Sequence, residues 1–67
     1  MTITVSEHLG MAPTSPDRFC ATTEDSDMYD MGGFGATEVE ALADLARQIG
    51  LSAADLAAAT IERTAVR

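Results

Sequence analysis

The side chains best suited to covalent chemistry are Cys20 and His8, the only cysteine and the only histidine of this 67-residue chain. A thiol beside an imidazole can act as a nucleophile when a further group orients the imidazole. These two residues lie twelve positions apart in a stretch without a regular pattern, and nothing identifies an orienting group. A single cysteine also excludes an internal disulfide, and one cysteine with one histidine is too few for a Cys/His metal site. We therefore predict no catalytic residue, no cofactor and no enzymatic activity.

Three closely spaced carboxylates, Asp25, Asp27 and Asp30, raise the question of a calcium site. Calcium-binding loops of the twelve-residue type use oxygen ligands at fixed positions and close with a glutamate. Here Tyr29 stands at a ligand position and no glutamate closes the loop. The spacing therefore predicts no metal site.

The same carboxylates belong to residues 24–34, the acidic segment, in which apolar side chains are set among acids. Apolar side chains held among charges stay accessible, and such segments commonly fold onto a partner with an apolar groove and a basic rim. The alternative is a hydrated loop whose apolar side chains only cover neighbouring helices. The predicted partner-binding residues are Met28, Tyr29, Met31, Phe34, Glu24, Asp25, Asp27 and Asp30.

The chain has no lysine, and four arginines against eleven acidic residues give a formal net charge of −7 at pH 7. A negative surface repels phosphate backbones and anionic membranes, which argues against nucleic acid and membrane partners. The expected partner is a protein with a basic surface, or a second copy of the chain. The alternative is that the acidity only keeps a small protein soluble.

No stretch approaches the ~20 consecutive apolar residues of a membrane span. The N-terminus lacks the basic start and apolar core of a signal peptide, and a lone thiol suits a reducing compartment. These features predict a cytoplasmic protein.

Two regions, residues 1–9 and 10–36, precede the first predicted helix and contain the side chains discussed above. Residues 1–9 include Thr2-Ile3-Thr4-Val5-Ser6, whose alternation of polar and apolar side chains predicts a short strand. Residues 10–36 contain two prolines and several glycines without a period, which predicts an irregular acidic arm.

Residues 37–67 predict a helical hairpin. Thr37 and Glu40 form a capping box, and Gly50 is suited to end the first helix. Ser52 and Asp55 then cap a second helix, joined to the first at Gly50-Leu51. The expected contact face of the hairpin consists of Val39, Leu42, Leu45, Ile49, Leu56 and Ile61. The predicted fold class is therefore mainly α.

A chain of 67 residues buries a modest share of its surface, roughly 60% of what the unfolded chain exposes. Such small domains often gain stability from disulfides, metals or association. With the first two excluded, we expect the hairpin to pack against a second copy or a larger partner.

The strand at residues 2–6, with the paired helices at 39–49 and 52–61, resembles the ribbon-helix-helix family of small repressors and antitoxins, interrupted here by a long acidic insertion. The resemblance implies a dimer whose paired strands enter the DNA major groove. It would direct Thr2, Thr4 and Ser6 towards the bases and use the backbone amides of Ser52 and Ala53 to hold a phosphate.

Three functions follow as hypotheses. The first is a small non-catalytic regulator, inhibitor or accessory subunit that docks on a larger, basic protein. The second is a dimeric ribbon-helix-helix DNA-binding regulator or antitoxin. The third is a precursor of a ribosomal peptide product. The alanine-rich, lysine-free composition is typical of high-GC bacterial or phage genes.

Overall fold

The first and last strands of the chain lie side by side in a four-stranded sheet. The computed structural model describes residues 1–23 and 32–67. The elements are β1 (Thr2–His8), β2 (Phe19–Thr23), β3 (Gly33–Gly35), α1 (Glu38–Ile49), α2 (Ala53–Ala58) and β4 (Thr60–Val66). The strand order is β3-β2-β1-β4, with β1 antiparallel to β2 and parallel to β4. The protein is thus a small mixed α/β fold, and the prediction of a mainly α fold is wrong.

The core forms between one face of the sheet and helix α1. Ile3 and Val5 alternate with threonines along β1, and both are almost fully buried. They pack with Ala21 of β2 and with Ala41 and Leu45 of α1. Because side chains alternate across a strand, the threonines of β1 fall on the opposite face of the sheet.

Helix α1 begins and ends where its local signals lie. The Thr37 hydroxyl accepts a hydrogen bond from the Glu40 backbone N–H at 3.2 Å. Gly50 ends the helix with a φ of 75°, in the left-handed region that glycine adopts without strain.

The second half of the predicted hairpin is wrong, because α2 ends at Ala58 and the chain continues as strand β4. Its start is as the capping signal suggests: Ser52 and Asp55 form a reciprocal capping box. Four of the seven residues of β4 are β-branched, which favours an extended backbone. The ladder with β1, in which Ile61 lies beside Ile3, supplies the backbone hydrogen bonds that the extended strand needs.

The prediction of an irregular arm over residues 10–36 is also wrong in two places. Residues Phe19–Thr23 form β2, and Gly33–Gly35 form β3. A β-carbon at either glycine would meet the backbone of α1 at less than 3.0 Å. The glycines that suggested a loop therefore let the helix lie directly on the strand.

The ribbon-helix-helix arrangement is not the one observed. In that arrangement the N-terminal strand pairs with its symmetry mate, which requires an open edge. Here β1 lies between β2 and β4, so both of its edges are occupied within the chain. The inner strand of this sheet, rather than a two-stranded ribbon, therefore contains Thr2, Thr4 and Ser6.

In the part of the chain that the structure describes, neither helix has the length and hydrophobicity needed to cross a lipid bilayer.

Candidate protein-binding edge

The two outer strands of the sheet differ in how their backbone groups are satisfied. Strand β3 forms one edge, and its outer side is covered by side chains of α1. The Phe34 backbone N–H donates to Oδ2 of Asp44 at 3.0 Å. Nε2 of Gln48 donates to the Gly32 carbonyl at 3.0 Å and also to Asp44. We call this side of β3 the closed edge, because helix side chains take the place of a further strand.

Strand β4 forms the opposite edge, and its pairing with β1 fixes which backbone groups face outward. The Thr60 N–H donates to the Met1 carbonyl at 2.9 Å, and the Leu9 N–H donates to the Val66 carbonyl at 2.8 Å. Along a strand, successive residues direct their N–H and C=O groups to alternate sides. The even-numbered residues of β4 therefore bond to β1, and the odd-numbered residues Ile61, Arg63 and Ala65 direct theirs away from the sheet.

We call the outward N–H and C=O groups of Ile61, Arg63 and Ala65 the open edge. Within residues 1–23 and 32–67, no strand lies beyond it. All side chains of β4 are exposed except that of Ile61, which is half-buried against the core. Helix α1 packs mainly over β3 and β2, the two strands farthest from the open edge.

One ion pair ties the open edge to the helix layer. Nε of Arg63 donates to Oε1 of Glu38 at 2.6 Å, and Nη2 donates to Oε2 at 3.0 Å. This two-point contact raises the pKa of the Arg63 guanidinium. Both side chains are partly exposed, so the pair positions Arg63 more than it stabilises the fold.

The charge along β4 is balanced, unlike that of the chain as a whole. The strand carries one acid, Glu62, and one base, Arg63, whereas the net charge of the chain is −7. An approaching molecule thus meets a neutral strip on a strongly acidic protein.

A shallow cavity of about 290 Å³ lies where β4 begins. Its walls come from the start of β1, from α2 and from the residues that flank α2, namely Met1, Leu51, Asp55, Ala58 and Ala59. Its one acidic group is occupied in the capping box, where Oδ2 of Asp55 accepts the Ser52 N–H at 3.0 Å. These hydrogen bonds with Ser52 lower the pKa of Asp55.

Cys20 and His8, the two side chains considered as a catalytic pair, lie on neighbouring strands, where Cys20 pairs with Ser6, two residues before His8. Cys20 is buried in β2, and His8 is the last residue of β1. Burial raises the pKa of the Cys20 thiol, which keeps it protonated near neutral pH. In the described ranges, no three or more potential ligands lie close enough together to hold a metal ion.

Most of the predicted partner-binding residues lie outside the described residues. Only Phe34 is described, on β3 beside Cys20 and about a third exposed. The residues outside are Glu24, Asp25, Asp27, Met28, Tyr29, Asp30 and Met31.

The predicted contact face of the hairpin is distributed differently from the expectation. Leu45 is fully buried in the core of its own chain. Val39 points to solvent and is 74% exposed. The remaining members pack partly buried against the core: Leu42, Ile49, Leu56 and Ile61.

Sequence reasoning missed the open edge entirely. The signal that could have indicated it is the alternation in residues 60–66, where Ile61, Arg63 and Ala65 share one face. Comparison of the chain with protein-family models, with curated proteins and with solved structures found no match.

Proposed function

We propose that this chain is a small non-catalytic protein-binding subunit, a regulator, inhibitor or accessory protein, that docks on a larger protein through the open edge of β4. An extended segment of the partner would add to the sheet as a fifth strand. The observation that carries this proposal is the difference between the two edges: Asp44 and Gln48 close one, and no strand among the described residues lies beyond β4 at the other.

Strand addition follows from the chemistry of an exposed edge. Each outward residue of β4 presents one N–H donor and one C=O acceptor, and an extended peptide satisfies them in register. Soluble proteins usually protect long sheet edges with proline, inward-pointing charges, bulges or a covering element. The protein covers β3 in this way, whereas β4 has no proline and no bulge, and its one charge on the helix side, Arg63, is already paired with Glu38.

The overall charge supports a basic partner. A net charge of −7 attracts a positively charged surface over distances of about 10 Å at moderate salt. Because β4 itself is nearly neutral, the backbone pairing would supply contact energy, and the surrounding acids would accelerate encounter and exclude acidic competitors.

The test compares two substitutions at one position. Ala65→Pro removes an outward N–H and leaves the hydrogen bonds between β4 and β1 in place. Ala65→Val retains the N–H and favours the strand, so it is the matched control. Tagged wild-type, Ala65→Pro and Ala65→Val proteins would be used to capture partners from the native cell, after circular dichroism has shown that all three fold.

We expect a stoichiometric protein partner with the wild type and with Ala65→Val, and at least a tenfold weaker association with Ala65→Pro, roughly the effect of losing one or two well-formed hydrogen bonds. Equal capture by both variants would place the contact surface elsewhere on the molecule.

A further inference from the structure

We infer that, without another occupant, β4 pairs antiparallel with β4 of a second copy, about a twofold axis that passes through Arg63, and joins two four-stranded sheets into one of eight strands. The inference rests on the open edge that also carries the proposed function. It does not require that a heterologous partner exists, and it concerns the purified chain alone.

Backbone direction limits the ways in which two copies can meet. A twofold axis perpendicular to the sheet keeps both helix layers on the same side, so facing residues must come from the same face of each β4. The outward groups belong to Ile61, Arg63 and Ala65, and these residues must therefore face one another. Three registers satisfy this condition near the middle of the strand, with the axis at Glu62, at Arg63 or at Thr64.

Side-chain chemistry selects among these registers. An axis at Glu62 sets two glutamates directly opposite each other, which is unfavourable. An axis at Thr64 pairs Ile61 with Arg67, which lies beyond the end of the strand. An axis at Arg63 uses all seven residues of β4 and leaves no strand residue unmatched.

The Arg63-centred register also matches side chains on both faces. On the helix side it sets Ile61 of one copy against Ala65 of the other, so apolar groups meet. On the opposite side it sets Glu62 against Thr64. The two Arg63 side chains approach at the axis, and each is already paired with Glu38 of its own chain, which offsets their repulsion.

Local charge at this edge is compatible with a second copy. Glu62 and Arg63 give β4 no net charge, and Arg67 follows directly after the strand. A copy of β4 brings one acid and one base of its own, so the strand that it adds is neutral. The repulsion between two chains of net charge −7 acts through solvent, so added salt should strengthen the pairing.

The first measurement is the mass of the purified chain by sedimentation equilibrium at roughly 10 to 500 µM, a range suited to a contact below the size of a standard stable interface. We expect a monomer–dimer equilibrium that shifts towards dimer between low and moderate salt. Ala65→Pro should remain monomeric over the whole range, and Ala65→Val should dimerise. A wild-type chain that stays monomeric at every concentration and salt level overturns the inference.

The second measurement tests the register by disulfide formation, with Cys20→Ala as the background to remove the natural thiol. Glu62→Cys and Thr64→Cys would be prepared separately and then mixed. In the Arg63-centred register, residue 62 of one copy lies opposite residue 64 of the other, so the mixture should oxidise to a mixed dimer at least tenfold faster than either protein alone. Rapid linking of Glu62→Cys alone or of Thr64→Cys alone would show one of the other registers and overturn the assignment.

The two proposals fail in distinguishable ways. A monomeric wild type that still captures a partner through Ala65-dependent binding refutes self-pairing and leaves the proposed function standing. A dimer that forms the mixed disulfide supports self-pairing. If no partner then discriminates Ala65→Pro from Ala65→Val, the proposed function is refuted while self-pairing stands.

Discussion

The backbone N–H of Phe34 donates to the Asp44 carboxylate across the outer side of β3, where a neighbouring strand would otherwise bond. A helix side chain thus accepts the hydrogen bond that a further strand would accept at that edge. At the other edge the outward N–H of Arg63 has no equivalent cover among the described strands, although the Arg63 side chain is held by Glu38. The association proposed above therefore uses the β4 side of the sheet.

Removing the Asp44 carboxylate should open the closed edge. Asp44→Ala leaves the Phe34 N–H without its acceptor and costs about 1.5 to 3 kcal/mol of unfolding free energy, as expected for a hydrogen bond to a charged group. Urea denaturation gives the stability, and light scattering reports new association. Asp17→Ala is the control, because it removes the same charge from an exposed turn. Equal stability of the two variants would contradict the role given to Asp44.

The contact between β3 and α1 should tolerate no side chain at Gly33. A β-carbon there would approach the α1 backbone at Ala41 and Leu45 to less than 3.0 Å, so strand and helix must separate. We expect Gly33→Ala to cost about 3 kcal/mol, at the upper end of overpacking effects.

Gly10→Ala provides the matched control, because nothing lies within 4 Å of the added methyl group. Its unfolding free energy, measured in urea, should stay within about 0.5 kcal/mol of the wild type. A Gly33→Ala variant as stable as the control would mean that α1 lies farther from β3.

The buried thiol should make the protein less stable at alkaline pH. Burial raises the pKa of Cys20 in the folded state, whereas an exposed thiol in the unfolded chain ionises near about pH 8.5. Above that pH the unfolded state releases its proton first, so stability falls as pH rises. Thermal melts of wild type and Cys20→Ala between about pH 7 and 10 should diverge in slope, with the wild type losing more. Parallel curves would indicate that the thiol is solvated.

The capping carboxylate of α2 should act in the opposite direction. Hydrogen bonds from Ser52 lower the pKa of Asp55 in the folded state. Its contribution is therefore present above the unfolded value of about 3.9 and is lost as pH falls through the folded pKa. We expect the melting temperature of the wild type to decrease more than that of Asp55→Asn between about pH 6 and 3. A wild type no more acid-sensitive than Asp55→Asn would show that the carboxylate gains nothing on folding.

The elements that could be predicted from the sequence are those fixed by neighbours along the chain. Helix α1 depends on Thr37, Glu40 and Gly50, all within or beside the helix, and it lies where those residues indicate. Strand β4 depends instead on a ladder with residues almost sixty positions earlier, as in the pairing of Thr60 with Thr2. Local periodicity cannot reveal such a partner, so the capping signal predicts where α2 begins but not where it ends.

The candidate site escaped prediction for a related reason. Gly33-Phe34-Gly35 resembles a turn by composition and becomes a strand only because α1 lies on its glycines. Which strand is left open is a property of the order β3-β2-β1-β4 and of the covering by Asp44, neither of which is visible before the strands are assembled.

The ladder between β1 and β4 links binding at the open edge to the stability of the whole fold. Joining Thr2 to Thr60 closes a long loop of chain, an entropic cost that only the completed ladder repays. A molecule that pairs with the outer side of β4 binds only when β4 is already paired with β1, so it stabilises the folded state. Binding at this edge would therefore raise the melting temperature, and the size of the rise would increase with the concentration of the molecule that binds.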